Sequence, residues 1–155
     1  GVAAGAGMSL ACTGDIVLAA ESARFTMAYT RIGLTPDGSS TFYLTRLVGL
    51  RRAQELLLTN RLLSAGEALA WGLVTRVVPD AELPAEAAEL ARQIADGPTR
   101  AFGGVKRLLL ASATTGLETQ MEYETREIVQ AGGSADGQEG IAAFAGKRPP
   151  RFTGA

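Results

Sequence analysis

The chain opens on a run of small residues, G-V-A-A-G-A-G, from Gly1 to Gly7. Such residues let one backbone segment approach another backbone, or a ligand, more closely than large side chains would. The run is not a dinucleotide fingerprint, because G-x-G-x-x-G starting at Gly5 needs glycine where Leu10 stands, and it lacks the P-loop ending. Two interpretations stay open: close packing of a helix on a strand, or a helix N-terminus whose free N–H groups bind an anion or a developing oxyanion.

Apolar patterning predicts the elements that follow this run. A helix of small residues is expected from about Gly7 to Thr13, then two strands, Asp15–Ala20 and Arg24–Met27, on either side of a turn. Next come a helix capped at Ser39, Ser40 or Thr41, a helix Arg51–Thr59, and a short helix after a Ser64–Glu67 capping box. A strand is expected at Leu73–Val78. The remainder is expected to be helical, with helices Pro84–Gly97, Pro98–Ala111 and Gly116–Ala131 and a last one capped near Asp136.

Charge and composition restrict the classes of partner that the chain can bind. The chain has 155 residues, 46% of them hydrophobic and 20% charged, with a formal net charge of -1. This near-neutral balance gives no general attraction to nucleic acid or to an anionic membrane. No apolar run approaches the roughly 20 residues that span a bilayer. Cys12 has no second cysteine with which to form a disulfide, which fits a cytoplasmic protein.

The absence of histidine restricts the chemistry. It excludes Ser-His and Cys-His catalytic pairs within this chain, and with one cysteine it argues against any metal site of the zinc type. Acid–base chemistry must then come from Asp, Glu, Tyr, Lys or the backbone.

Asp37 lies in a Pro-Asp-Gly segment, and the residues leave its role open. Aspartate in such a turn commonly bonds its own backbone, whereas a carboxylate ahead of a helix can also serve as an acid–base group. The basic tail Lys147, Arg148 and Arg151 has two interpretations as well: a site for a phosphate-bearing ligand, or a solvated terminus.

Five segments taken together resemble the crotonase superfamily, the enoyl-CoA hydratase/isomerase family. They are G-V-A-A-G-A-G-M-S-L, D-I-V-L-A-A-E-S-A-R-F, I-G-L-T-P-D-G-S-S-T-F-Y-L-T-R-L-V-G, L-L-L-T-N-R-L-L-S-A-G-E-A-L-A-W-G-L-V and G-I-A-A-F-A-G-K-R-P-P-R-F. They occur in the family's order along essentially the whole chain. The resemblance is specific for the family and much less so for the reaction.

The resemblance implies an α/β fold, a crotonase-like spiral of ββα units with a helical C-terminal oligomerisation region. Residues 1–80 would belong to the ββα core and residues 81–155 to the helices that drive trimer formation, often as a dimer of trimers. Family members are longer, so the chain looks like the C-terminal portion of one, with the N-terminal part of the fold absent. The absent part would hold much of the coenzyme A site.

Site residues carry over one position at a time. Ala6 matches the residue whose backbone N–H completes the oxyanion hole, with Gly5 and Gly7 beside it. Family hydratases use two glutamates, and this chain has Ser9 and Tyr29 at those positions. Asp37 matches the acid–base aspartate of family isomerases of the ring-opening phenylacetate type.

In the C-terminal F-x-x-K-R, Phe144 and Lys147 match residues that lie near the coenzyme A of a neighbouring subunit in the family. The substrate implied is an acyl-CoA thioester, with coenzyme A as part of the substrate and no separate cofactor. The leading hypothesis is an acyl-CoA isomerase. The alternatives are a hydratase or another thioester reaction, and a crotonase-fold protein that binds acyl-CoA without catalysis.

Overall fold

The computed structural model describes residues 1–155 as two compact units, Gly1–Ala87 and Ala88–Ala155. The strands are β1 (Val2–Ala4), β2 (Leu18–Ala20), β3 (Arg24–Thr26), β4 (Leu63–Ser64) and β5 (Arg76–Val78). The helices are α1 (Ala6–Cys12), α2 (Ser40–Val48), α3 (Leu50–Thr59), α4 (Ala65–Ala70), α5 (Leu83–Ala95), α6 (Thr99–Ser112), α7 (Leu117–Gly132) and α8 (Ala135–Ala145), with a 3-10 turn at Tyr29–Ile32.

The first unit holds all the strands, in two small sheets. In one sheet β1 pairs in parallel with β3, with Ala3 opposite Phe25, and β3 pairs antiparallel with β4. In the other, β2 pairs in parallel with β5. Because parallel neighbours need crossover connections, the intervening helices pack back onto the sheets.

The core of this unit lies between the first sheet and the helices α1 to α4. Its buried members include Met8, Cys12, Phe25, Met27, Leu44, Val48, Leu56 and Leu63. Small residues at the opening of the chain allow β1 and α1 to sit close to this core. The expected α/β arrangement around a buried core is therefore confirmed.

Local differences from the predicted strands have a common cause. The strand predicted at Asp15–Ala20 begins only at Leu18, because the backbone of Val17 already bonds Thr75. The Val17 N–H donates to the Thr75 hydroxyl, and the Val17 carbonyl accepts from Thr75 N. The strand predicted at Leu73–Val78 likewise begins at Arg76, since Leu73 and Val74 close the end of α4 through bonds to Ala68. β1 was not predicted at all, since three small or branched residues carry no periodic signal.

The capping predictions had mixed outcomes. Ser64 and Glu67 form the expected capping box at the start of α4. Ser39 does occupy the N-cap of α2, but it is left-handed (φ 59°) and no side chain caps this helix. At α8 the predicted cap Asp136 was wrong: Ser134 is the N-cap, and its side chain accepts from Gly137 N.

In the second unit, α6 packs on α7 and α7 on α8. Arg107 on α6 makes a two-pronged ion pair with Glu127 on α7, with both N–O distances 2.8 Å. Asp136 is buried and accepts backbone N–H bonds from Thr153 (2.7 Å) and Gly154 (2.8 Å), so it ties the end of the chain to α8. These bonds hold the pKa of its carboxyl below the ordinary range.

An apolar stripe on α7 is exposed in this chain. Leu117, Met121, Ile128 and Val129 are each more than half exposed, and α7 has no buried residue. None of the helices combines the length and the apolar character that a bilayer crossing requires.

Candidate functional site

The junction of β1 and α1 is made by Gly5. Its N–H bonds Thr26 O at 3.0 Å, which extends the pairing of β1 with β3 by one residue, and its φ of 51° turns the chain into α1. A residue with a side chain rarely adopts this φ, so glycine is needed here for its backbone conformation. Gly5 thus sets the direction in which α1 leaves β1.

Ala6 and Gly7 follow as the first two residues of α1, and both are exposed. The N–H groups of a helix's first turn lack partners within the helix. A Cβ built on Gly7 would meet nothing within 4 Å. Close packing therefore does not account for Gly7, and there is open space beside the first turn of α1.

Ser9 is a buried polar residue of α1, with 2% of its surface exposed. Its hydroxyl lies 3.2 Å from Gly5 O and 3.0 Å from the hydroxyl oxygen of Tyr29. Tyr29 is half-buried and its hydroxyl donates to Oδ1 of Asp37 at 2.7 Å. Three residues predicted from separate segments therefore form one hydrogen-bonded chain from α1 to the Pro-Asp-Gly loop.

Asp37 is exposed, and its carboxylate bonds Tyr29 rather than the turn around it. The carbonyl of Asp37 accepts from Ser40 N at 3.2 Å, so the turn is closed by backbone alone. Ser39, at the N-cap of α2, donates its hydroxyl to Gly38 O instead of capping the helix. The Asp37 carboxylate therefore caps neither its own turn nor α2.

Gly38 was missed as a site residue, although the Pro-Asp-Gly pattern pointed to its conformation. It is left-handed (φ 60°), and a Cβ built on it would lie 3.2 Å from the Cβ of Ser9. The loop that carries Asp37 therefore rests directly on Ser9, and only glycine fits this contact without displacing it.

Ala28 is a second residue that the sequence does not single out. It is left-handed (φ 56°) without being glycine or asparagine, and it starts the 3-10 turn that presents Tyr29. A left-handed non-glycine residue costs on the order of 1 kcal/mol or more and is found where the surrounding structure enforces it. Here it directs the Tyr29 ring towards Ser9 and Asp37.

Phe144 and Lys147 lie in the second unit, at and just beyond the end of α8. Phe144 is 88% exposed, and Lys147 is exposed and left-handed (φ 50°). Arg148 does not add a free charge to this tail, because it forms a two-pronged ion pair with Glu139 at 2.6 and 2.8 Å. That pair and a bond from Arg151 N lower the pKa of Glu139 to about 2.

Cys12 has no place in the chemistry of this region. It is buried in the core on the inner face of α1, and burial raises the pKa of its thiol to about 11. A thiol in this state is a poor nucleophile at neutral pH.

The chain is similar in sequence and in fold to known proteins of one family. A family model described as Enoyl-CoA hydratase/isomerase matches residues 1–155, the whole of the chain. Among curated relatives, the chain is 46% identical over 154 residues to 1,2-epoxyphenylacetyl-CoA isomerase of Escherichia coli (strain K12), covering 99% of this chain and 59% of that protein.

A second relative, described as a "Probable enoyl-CoA hydratase" of Rhodobacter capsulatus, is 44% identical and is covered over 60% of its length. Among solved structures, an enoyl-CoA hydratase from Polaromonas sp. JS666 superposes with a TM-score of 0.93 at 37% identity, with 99% of this chain and 60% of that chain covered. The chain thus spans about 60% of the length of the proteins it matches. The predicted crotonase-like fold is confirmed.

Proposed function

The chain belongs to the enoyl-CoA hydratase/isomerase family, and we propose that the whole protein is an acyl-CoA isomerase. It shifts a double bond through a thioester enolate, with Asp37 as the proton shuttle. The observation that carries this proposal is the 2.7 Å bond from the Tyr29 hydroxyl to Oδ1 of Asp37, which the 3.0 Å contact between Tyr29 and Ser9 links to α1.

The thioester oxygen is bound by the Ala6 N–H and by a second backbone N–H from a part of the whole protein outside these 155 residues. Ala6 suits this role because it begins α1, where N–H groups lack helical partners, and because the space around Gly7 is open. Donors placed where negative charge develops are each worth about 3–4 kcal/mol of barrier.

Asp37 then works in two steps. On a 3-enoyl thioester its carboxylate takes a proton from C2, the C–H electrons form a C1=C2 bond, and the carbonyl π electrons move onto the thioester oxygen to give a dienolate. When the dienolate collapses, the C=O bond re-forms, the C1=C2 electrons become the new C2=C3 bond, and the electrons of the old C3=C4 bond take the proton from Asp37 at C4. Tyr29 holds Oδ1, so Oδ2 carries the proton.

Hydration is the second candidate, because a relative of similar identity is described as a probable enoyl-CoA hydratase. Hydration needs a positioned water as well as a base. Ser9 and Tyr29 stand where the family resemblance places the two hydratase glutamates, and neither hydroxyl is a base near pH 7. One shuttling carboxylate suffices for isomerisation, which is why we favour it.

The remaining parts of the substrate and the assembly follow from the same proposal. Coenzyme A enters as part of the substrate, with Lys147 and Phe144 placed near the coenzyme A of a neighbouring subunit in a trimer or a dimer of trimers. Both side chains are exposed in the single chain and are free to make such contacts. No separate cofactor is required.

The test compares full-length protein with its Asp37→Asn variant on a 3-enoyl-CoA, with the 2-enoyl product separated by chromatography. We expect turnover to be abolished in the variant while the unfolding transition is unchanged. Wild-type turnover by the variant would rule out Asp37 as the shuttle. Asp96→Asn, a loop substitution in the second unit, is the matched control.

Two further measurements separate the alternatives. Hydration of crotonyl-CoA faster than isomerisation of the 3-enoyl-CoA would favour a hydratase. Tight binding of acyl-CoA with no turnover of enoyl-, hydroxy- or epoxy-acyl-CoA would favour a binding protein without catalysis.

A further inference from the structure

Two hydroxyl groups connect Asp37 to the peptide group between Gly5 and Ala6. Tyr29 bonds Asp37 Oδ1, and Ser9 Oγ lies within hydrogen-bond reach of both the Tyr29 hydroxyl (3.0 Å) and Gly5 O (3.2 Å). The carbonyl of Gly5 and the N–H of Ala6 belong to the same peptide group. The network therefore runs from the proposed base to the proposed oxyanion donor.

The network has one proton too few to make all three bonds at once, since Ser9 and Tyr29 carry one hydroxyl proton each. While Asp37 is ionised it can only accept, so Tyr29 donates to it. The contact between the two hydroxyls then requires Ser9 to donate to Tyr29. In this state Gly5 O accepts only the helical N–H of Ser9, at 3.0 Å.

After Asp37 has taken the substrate proton, its Oδ1 is no longer charged. Hydrogen bonds to ionised acceptors are roughly twice as strong as neutral ones, so Tyr29 loses much of its preference for Asp37. Tyr29 can then turn to donate to Ser9, and Ser9 to Gly5 O. Each hydroxyl keeps its own proton and turns about its C–O bond, so no covalent bond breaks.

We propose that Ser9 and Tyr29 are positioning residues that couple the protonation of Asp37 to the strength of the Ala6 N–H as an oxyanion donor. A carbonyl that accepts a further bond polarises its peptide group and strengthens the N–H on the other side by about 10–30%. The donor therefore strengthens when the enolate exists. This inference rests on the proposed function of Ala6 and Asp37.

The coupling makes Ser9 matter for the chemical step and not for binding. Losing a strengthening of this size from one oxyanion donor corresponds to about a two- to eight-fold decrease in kcat. We expect Ser9→Ala in the full-length protein to show that decrease with KM nearly unchanged, since the ground state with ionised Asp37 does not use the bond from Ser9 to Gly5.

A spectroscopic test does not depend on turnover. The probe is butanoyl-CoA with ¹³C at the thioester carbonyl, bound to full-length protein, and the readout is the infrared carbonyl frequency, which falls as the oxyanion donors strengthen. Asp37→Asn serves as the neutral form of the base. Tyr29→Phe leaves Ser9 only Gly5 O as its acceptor. Tyr43→Phe and Ser112→Ala are the controls. Neither side chain takes part in the hydrogen bonds of the network, and the Ser112 hydroxyl bonds Leu109 O of its own helix.

The expected pattern has opposite outcomes for the two hydroxyls. Tyr29→Phe and Asp37→Asn each move the bound carbonyl to a lower frequency than in the wild type, whereas Ser9→Ala leaves it unchanged. Adding Ser9→Ala to either of the shifting variants returns the frequency to the wild-type value. A merely structural role of Ser9 and Tyr29 does not produce this reversal.

The inference is overturned if Tyr29→Phe leaves the frequency at the wild-type value, or if Ser9→Ala fails to reverse its shift. Either result leaves the proposed function intact as long as binding lowers the wild-type frequency relative to free probe. If binding does not lower it in the wild type, the oxyanion role of Ala6 fails, and the proposed function fails with it.

Discussion

The hydroxyl of Tyr29 donates to Oδ1 of Asp37 across 2.7 Å, although the two residues are eight positions apart in the chain. The family resemblance matches Tyr29 to a hydratase glutamate, and in the structure its hydroxyl bonds the carboxylate of Asp37. The pair gives the proposed isomerase one ionisable group with a fixed direction.

We expect Tyr29→Phe in the full-length protein to lower kcat by about tenfold or more. A bond to a charged group is worth about 1.5–3 kcal/mol, and losing it frees the carboxylate to rotate away from the substrate. Steady-state isomerisation kinetics measure the effect, with Tyr43→Phe as the matched control. An equal loss in both variants would mean that Tyr29 acts only through packing.

Gly38→Ala should destabilise the full-length protein by about 1–2 kcal/mol, because the residue is left-handed and its new Cβ would press on Ser9. Gly66→Ala, on α4 with nothing near its Cβ, should be neutral or stabilising by up to about 1 kcal/mol. Urea unfolding of the two variants measures the difference. Equal free energies of unfolding would show that the loop yields to the added methyl group.

The fall in the free energy of unfolding at acid pH should depend on Glu67 and Glu139. Bonds from Ser64 and Arg61 lower the pKa of Glu67 to about 2, and Arg148 and Arg151 do the same for Glu139. Because both folded-state values lie below the unfolded one, the stabilisation is complete above about pH 5 and is lost as pH falls towards about 2.

Urea unfolding at several pH values checks this expectation. Glu67→Gln and Glu139→Gln should each flatten the fall in unfolding free energy between about pH 5 and about pH 2. Glu124→Gln, on the exposed side of α7, should leave the slope as it is. A slope unchanged by all three substitutions would contradict the assignment.

Two leucines of α3, one buried in the core and one exposed, should differ in their contribution to stability. Leu56 is fully buried, so Leu56→Ala should cost about 2–5 kcal/mol of unfolding free energy. Leu58 is 74% exposed, and Leu58→Ala should cost less than about 1 kcal/mol. The pair is compared by urea unfolding at one protein concentration. Similar losses would show that Leu58 is covered in the assembled protein.

Helices were the most predictable part of this chain. The capping box at Ser64 and Glu67, and the apolar periodicity of α3, α6 and α7, are local signals that stand in contiguous residues. Short strands were less predictable: β2 and β5 begin later than expected because neighbouring residues such as Val17 are drawn into bonds with distant ones. Pairing across the sheet, not propensity, sets their ends.

The sequence by itself determined the family and the absence of histidine chemistry within these residues. Only the tertiary structure decided that Ser9, Tyr29 and Asp37 share one hydrogen-bond chain. Hydroxyl directions and the left-handed turns at Ala28 and Gly38 depend on where three separate segments meet. A contact between residues 20 positions apart has no local signal, because it is the packing of α1 against the Asp37 loop that brings the groups together.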